Sequence, residues 1–159
     1  MKKPDVIVVF AFTKDGKANS HIALTGKNRA TQYNVPIFTQ KDVGRYLHDS
    51  KCDVFSVDEE EKYLSTLGIV KALKESAEKH GWKKVGLVAA PCHEWRCSRD
   101  LRKMGFIVYT DDYLRSAYRS KFWFNPNDPQ IWVHNPLIWW MREIVLRLIP
   151  WNIYFKFAS

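Results

Sequence analysis

The sequence predicts an α/β fold of three layers, in which helices cover both faces of a mainly parallel sheet of about five strands. Short apolar runs alternate with longer amphipathic segments along residues 6–109. The first run, residues 6–10, is apolar at every position, as in a strand that is covered on both faces. A further apolar segment after Pro136 predicts a C-terminal helix.

Five segments are predicted as strands, because each is short, rich in β-branched or apolar residues and bounded by turn-forming residues. Their alternation with helices predicts parallel strands joined by right-handed crossovers. A small edge strand is also predicted at residues 131–133. The five main segments are residues 6–10, 21–25, 53–57, 85–89 and 106–109.

Capping residues and apolar residues at helical spacing predict the helices between these strands. Thr39 is expected to cap a helix over residues 40–48. A second helix is predicted over residues 65–79 and ends at Gly81, while a third runs over residues 94–103.

The terminal helix is predicted to begin with Asn135 as N-cap and Pro136 in the first turn, and to run to about residue 149. It is too short to span a bilayer. We expect it to pack on the core; a dimer face or an interfacial membrane contact is the second interpretation. Three charged residues interrupt its apolar run and lie on one side of the helix: Arg142, Glu143 and Arg147.

Length and composition fit one globular domain over residues 1–159, with residues 110–159 as a helical and aromatic extension. Of the 159 residues, 46% are hydrophobic, which is enough for a full core. Three cysteines without a disulfide-rich pattern suit a reducing compartment, and we expect a cytoplasmic protein.

The net charge of +8 favours acidic partners. The basic residues are spread along the whole chain, however, which is typical of a solvated surface. The sequence contains no zinc-finger spacing, no basic region followed by heptads and no RNP-type aromatic strand. We therefore expect an anionic small molecule as ligand, and we do not expect nucleic acid.

In open parallel sheets, ligands bind beyond the carboxyl ends of the strands, where helix N-termini favour anions. The segment that follows the strand at 85–89 is the most informative of these positions. There, His93 and Arg96 stand three residues apart in the first turn of a helix, and Arg99 continues that line. An imidazole beside a guanidinium is suited to bind a phosphate or a carboxylate. In the alternative interpretation His93 caps the helix, and the two arginines pair with Glu94, Asp100 or Asp111.

Residues 85–97 (VGLVAAPCHEWRC), followed by MGF at 104–106, resemble the hallmark of the YdcF-like family, the bacterial group that includes SanA and ElyC. The family pattern is a hydrophobic strand, then Thr-Ser-x-x-His-x-x-Arg-Ala, a helix and Gly-Phe. The resemblance covers about residues 4–110 and implies a Rossmann-like fold with a pocket, not a particular reaction. Ala89 and Ala90 replace the Thr-Ser pair, and the first loop lacks the glycines of the family.

Two further features are interpreted as structural. The acidic run at residues 58–61 is expected to be a solvated loop, although it could also ligate a cation or orient His93. Cys92 lies at a helix N-terminus, which predicts a lowered thiol pKa and allows a Cys/His nucleophilic pair as the weaker alternative. The cysteines lack metal-site spacing, so no metal is predicted.

The sequence thus predicts a protein that binds a nucleotide-like or phosphorylated ligand at the carboxyl edge of the sheet. If it is an enzyme, phosphate-ester hydrolysis or group transfer fits these residues; no cofactor is predicted. The alternative is a non-catalytic, envelope-associated or membrane-surface protein that uses its basic, Trp-rich C-terminal third. The predicted catalytic residues are His93 and Arg96, and the predicted ligand-binding residues are Thr13, Thr25, Gly26, Glu60, Thr66, Pro91 and Arg99.

Overall fold

Five parallel strands form one sheet in the order β3-β2-β1-β4-β5. The computed structural model describes residues 3–14, 17–57, 65–110 and 112–157. The predicted α/β class, with a parallel sheet between helices, is confirmed. The strands are β1 (Val6–Val9), β2 (Ile37–Gln40), β3 (Val54–Val57), β4 (Lys84–Val88) and β5 (Ile107–Thr110). The helices are α1 (Lys17–Tyr33), α2 (Lys41–Gly44), α3 (Thr66–His80), α4 (Pro91–Lys103), α5 (Tyr113–Ala117), α6 (Pro136–Leu148) and α7 (Trp151–Phe157).

The helices cover both faces of the sheet because the strand order reverses at β1. The chain proceeds outwards on one side from β1 to β3, and on the other side from β4 to β5. Because the crossover connections all have the same handedness, α1 and α3 lie on opposite faces of the sheet. Accordingly, Val9 of β1 packs with Ile22 of α1, while the neighbouring Val8 packs with Leu73 of α3.

The strand predicted at residues 21–25 is wrong, because these residues lie in the middle of α1. Ala18, Ile22 and Ala30 are buried on the sheet-facing side of that helix. Gly26 allows the helix to approach the sheet closely, since a Cβ at this position would lie 2.6 Å from Val9 Cγ2. The predicted strand is therefore part of one helix of 17 residues.

The second strand is instead β2, and the helix predicted over residues 40–48 is correspondingly shorter. Ile37 pairs with Ile7 of β1, and the side chain of Thr39, which was expected to cap a helix, donates a hydrogen bond to the Val9 carbonyl at 2.8 Å. The predicted edge strand at residues 131–133 is also wrong, since Ile131–Val133 forms a 3-10 turn.

Local capping signals predicted other helix ends correctly. Ser65 accepts a hydrogen bond from the Gly68 N–H and caps α3, and Gly81 follows that helix with a left-handed φ of 74°. Asn135 caps α6 by accepting from the Ile138 N–H at 3.0 Å. Helix α4 begins at Pro91, earlier than predicted.

Helix α6 packs on the core, as predicted, through Trp139. Glu143, one of the three charged residues predicted to lie together on one side of the helix, is buried as well. No helix in the described ranges is both long and apolar enough to cross a bilayer. The opposite side of α6 carries six exposed apolar residues, Leu137, Trp140, Met141, Ile144, Val145 and Leu148, here called the apolar stripe.

Candidate functional site

A cavity of about 620 Å³ lies at the carboxyl edge of the sheet, where β1 and β4 are neighbours and their connections diverge. This is the position at which open α/β sheets bind ligands. The loop after β1 and the N-termini of α3 and α4 form its base, while α6 and α7 form its cover. Its polar lining residues are Lys14, Ser65, Thr66, His93, Arg96, Gln130, Arg142 and Tyr154.

His93 lies in the first turn of α4, and its ring is 5% exposed. The ring packs edge-on against Trp139 of α6, with 5.4 Å between centroids, and lies close to Phe12 of the loop after β1. Its Nε2 atom is 3.3 Å from Oγ1 of Thr66, the first residue of α3. The loops after β3 and β4 thus bring Thr66 and His93 together at the carboxyl edge of the sheet.

Arg96 follows one turn later on the same helix face and is 4% exposed. Its Nη1 lies 3.3 Å from Oε1 of the buried Glu143, and its guanidinium lies over the Trp139 ring at 5.4 Å. Its Nη2 lies 3.1 Å from Nδ1 of His93. The arginine expected to clamp a ligand is thus held by a carboxylate of the protein itself.

These contacts fix the tautomer of His93. A guanidinium only donates hydrogen bonds, so Nδ1 of His93 must accept from Arg96 and carry no proton. The proton of the neutral ring then resides on Nε2, which donates towards Thr66 Oγ1. His93 therefore donates at the border of the cavity, where Thr66 Oγ1 is its acceptor.

Electrostatics keep that ring neutral. Burial lowers the pKa of His93 well below 6.5, and the nearby positive charges of Arg96 and Arg142 lower it further. Burial also raises the pKa of Glu143, an effect that Arg96 and Arg142 oppose. A neutral, donating imidazole is consequently the stable form at neutral pH.

Side chains of the protein accept hydrogen bonds from the backbone N–H groups of the loop after β1. Asn19 Oδ1 accepts from the Phe12 N–H at 2.9 Å, and Gln40 Oε1 accepts from the Ala11 N–H at 3.2 Å. Asp128, from the segment before α6, accepts from the Lys14 N–H at 2.8 Å. These backbone donors, which could bind a phosphate in an open loop, already have acceptors.

The remaining lining combines positive charge with aromatic rings. Lys14 is exposed at the cavity, and Arg142 lies over the rings of Trp132 and Trp139 at 5.4 and 5.6 Å. Among the lining residues that the structure describes there is no aspartate or glutamate, because Glu143 lies behind Arg96. The cavity can therefore receive an anionic group beside a flat ring system.

Comparisons with known proteins add little to this geometry. No protein-family model matches the chain, and no curated protein matches it significantly. A solved structure with a partly similar arrangement is a protein from the universal stress protein family of Burkholderia pseudomallei. It is 12% identical, the match covers 70% of this chain and 98% of that chain, and the TM-score is 0.42. So distant a likeness is restricted to the general arrangement of strands and helices.

Five predicted ligand-binding residues do not line this cavity: Thr13, Thr25, Gly26, Pro91 and Arg99. Thr25 and Gly26 are in the middle of α1, where Thr25 Oγ1 donates to the His21 carbonyl at 2.9 Å. Pro91 begins α4 but lines a neighbouring cavity, and Glu60 lies outside the described residues, as does the whole acidic run at 58–61. Thr13 is buried beside the loop after β1, and its hydroxyl has no hydrogen-bond partner within the described ranges.

Arg99 serves to attach the C-terminal helices. It pairs with Asp100 at 2.8 Å, as the alternative interpretation of the sequence expected, and donates to the Leu146 carbonyl at 3.2 Å. Asp100 also accepts from the Tyr154 hydroxyl at 2.8 Å, which links α7 to α4. Of the other two predicted partners, Glu94 pairs with Arg115, and Asp111 lies outside the described residues.

The lowered thiol pKa predicted for Cys92 is wrong. Burial raises the pKa of this thiol far above its ordinary value, because the surrounding apolar groups disfavour the thiolate. Its carbonyl accepts from Trp139 Nε1 at 3.1 Å, so the residue belongs to the contact between α4 and α6. The described residues contain no group of three His, Cys, Asp or Glu side chains that could hold a metal ion.

Sequence reasoning missed Glu143, Trp139 and Asp128 as parts of the site. Each comes from the segment after β5, and each contacts a residue that is far away in the chain. A carboxylate inside an otherwise apolar helical run was the available signal for Glu143, because such a residue needs a buried cation when its helix packs. Asp128 and Trp139 have no comparable local signal.

Proposed function

We propose that this protein binds an anionic small molecule, nucleotide-like or phosphorylated, in the cavity at the carboxyl ends of β1 and β4. One observation carries the proposal: the Nε2–H of His93 and the cations Lys14 and Arg142 border the same cavity as the indole rings of Trp132 and Trp139. The resemblance to the YdcF-like family agrees with this position and belongs to the same proposal.

The proposed binding mode divides the cavity into a charged part and an aromatic part. Arg142 and Lys14 attract a phosphate or carboxylate, and one of its oxygens replaces Thr66 Oγ1 as the acceptor of the His93 Nε2–H. The exposed Trp132 ring offers a surface for a base or another flat ring. Arg96 acts as a positioning residue, since it holds His93 in the donating tautomer.

This arrangement favours hydrogen-bond donation by His93 over proton abstraction. Proton abstraction would need a lone pair on Nε2, and the proton would then have to sit on Nδ1, opposite an Arg96 N–H. If the ligand is a substrate, we propose that His93 stabilises negative charge on a phosphoryl oxygen during hydrolysis or group transfer.

A thermal-shift series with inorganic phosphate, ribose 5-phosphate, ADP and a sugar nucleotide tests the proposal. Arg142→Gln and Lys14→Gln each remove a cation of the cavity, and both side chains are at least partly accessible to solvent. Lys79→Gln is the matched control, because Lys79 is exposed in the last turn of α3, away from Thr66 at its start.

We expect phosphorylated compounds to raise the melting temperature of the wild-type protein and the Lys79→Gln variant. Each cavity variant should weaken binding by about tenfold, the usual effect of losing one hydrogen bond to a charged group. If none of the compounds stabilises the wild-type protein, or if all three variants lose binding equally, the proposal fails.

A further inference from the structure

The apolar stripe of α6 faces solvent although it has the pattern of a buried helix face. Its six residues recur at the three- and four-residue spacing of one helix side, and Leu148 is 78% exposed. The other side of the helix is already packed, through Trp139 on the loop after β1 and through Glu143 on Arg96. A contiguous exposed apolar surface of this kind marks an interaction site.

Cations flank the stripe on both sides. At 100° per residue, Arg147 follows Trp140 along one edge, and Arg142 lies beyond the opposite edge. The Arg147 guanidinium lies over the rings of Trp95 and Trp140 at 4.3 and 5.3 Å. On α7, the Phe155 ring is covered by Lys71 Nζ at 4.4 Å. Exposed aromatic rings beside arginine and lysine are typical of protein surfaces that meet lipid headgroups.

The exposed charges of the C-terminal segment that carries the stripe have one sign, and one of them, Arg115, pairs with Glu94 of α4. Residues 113–157 contain six cationic side chains, and the two carboxylates of the segment, Asp128 and Glu143, are both buried. A second copy of the chain would place arginines against arginines across a two-fold interface. An anionic surface complements them instead. The cations are Arg115, Arg119, Lys121, Arg142, Arg147 and Lys156.

We infer that the apolar stripe is the docking surface for an anionic lipid bilayer, with α6 lying in the plane of the membrane surface. The stripe enters the boundary between headgroups and acyl chains, while Arg147 at its edge reaches the lipid phosphates. This interaction goes beyond the proposed ligand binding and does not depend on it.

Co-sedimentation with vesicles tests the inference. Vesicles of phosphatidylcholine mixed with phosphatidylglycerol are compared with vesicles of phosphatidylcholine alone, and the blue shift of tryptophan fluorescence reports insertion. Ile144→Asp places a charge in the stripe. Leu24→Asp is the matched control, because Ile144 is 54% exposed and Leu24, on α1, is 55% exposed.

We expect the wild-type protein and Leu24→Asp to bind the anionic vesicles, and binding to weaken as salt is added. Ile144→Asp should bind about tenfold more weakly or worse, since it loses apolar contact and repels the lipid phosphates. Arg147→Gln should also weaken binding to anionic vesicles.

Three results would overturn the inference. The first is equal binding to both kinds of vesicle, and the second is equal binding by the two aspartate variants. The third is a lipid-free dimer, detected by sedimentation equilibrium, that Ile144→Asp alone dissociates, because a second copy would then be the partner of the stripe.

Discussion

Arg96 and Glu143 form a buried ion pair between α4 and α6, with 3.3 Å between Nη1 and Oε1. The same guanidinium contacts His93 Nδ1, so the pair connects the cover of the cavity to its central histidine. Neither residue reaches solvent appreciably, since their side chains are 5% and 1% exposed. The C-terminal helices are consequently part of the site geometry.

Replacing one member of this pair should destabilise the protein strongly. Glu143→Leu leaves the buried guanidinium without its counter-charge, and such a change costs about 3–5 kcal/mol. Arg96→Met should cost a similar amount for the converse reason. Urea unfolding of both single variants measures the free energy of unfolding.

The double variant Arg96→Met/Glu143→Leu is the control, because it removes both charges and replaces them with apolar volume. It should be more stable than either single variant. Additive losses in the double variant would show that the two charges do not stabilise each other.

Acid should destabilise the folded protein through His93. Its pKa is lowered in the folded state, so below about pH 6.5 the unfolded chain gains a proton that the folded chain rejects. The contribution of His93 to stability is thus lost as the pH falls, by up to about 1.4 kcal/mol per pH unit. Urea unfolding between neutral and mildly acidic pH gives this slope.

His93→Asn retains an acceptor for Arg96 but cannot be protonated. Below about pH 6.5 the free energy of unfolding of this variant should therefore fall less steeply with pH, by the slope that corresponds to one proton. His48→Asn is the control, because His48 is exposed, and it should keep the steeper pH dependence of the wild-type protein. Identical pH profiles for the wild-type protein and His93→Asn would contradict the buried neutral imidazole.

Gly26→Ala should lower stability without affecting ligand binding. The new Cβ would lie 2.6 Å from Val9 Cγ2, and overpacking of this kind costs about 1–3 kcal/mol, more than the gain of about 1 kcal/mol in helix propensity. Thermal unfolding and ADP titration measure the two properties. Loss of ADP binding at unchanged stability would instead support the role at a strand end that the sequence predicted for Gly26.

Much of the fold could be predicted because strong signals are local. Neighbouring residues alone determine the continuous apolar run that contains β1, the helix end at Gly81 and the cap at Asn135. Helix α1 was missed because Ala, Thr and Gly residues form much of its buried side, and His21–Thr25 then resembles a short strand. Strand β2 was hidden between Pro36 and a polar segment, and only its pairing with β1 identifies it.

Only those site residues could be predicted whose position follows from the direction of the parallel strands. His93 and Thr66 come after parallel strands, so their meeting at the carboxyl edge was predictable. The partner of Arg96 could not be predicted, because the position of Glu143 depends on how α6 folds back over the sheet. An exposed face on α6 was only the second interpretation of the sequence, because apolar residues in a helix usually indicate a buried face.

Nitrogen-15 NMR of histidine-labelled protein tests the central claim most directly, since it reads the protonation of His93 and its contact with a ligand together. His93→Asn assigns the signals. We expect a neutral ring protonated at Nε2 at pH 6. Its Nε2 resonance should shift when ADP is added to the wild-type protein, and it should shift less in the Arg142→Gln variant. A cationic ring, a ring protonated at Nδ1, or an Nε2 resonance that ADP leaves unchanged would contradict this expectation.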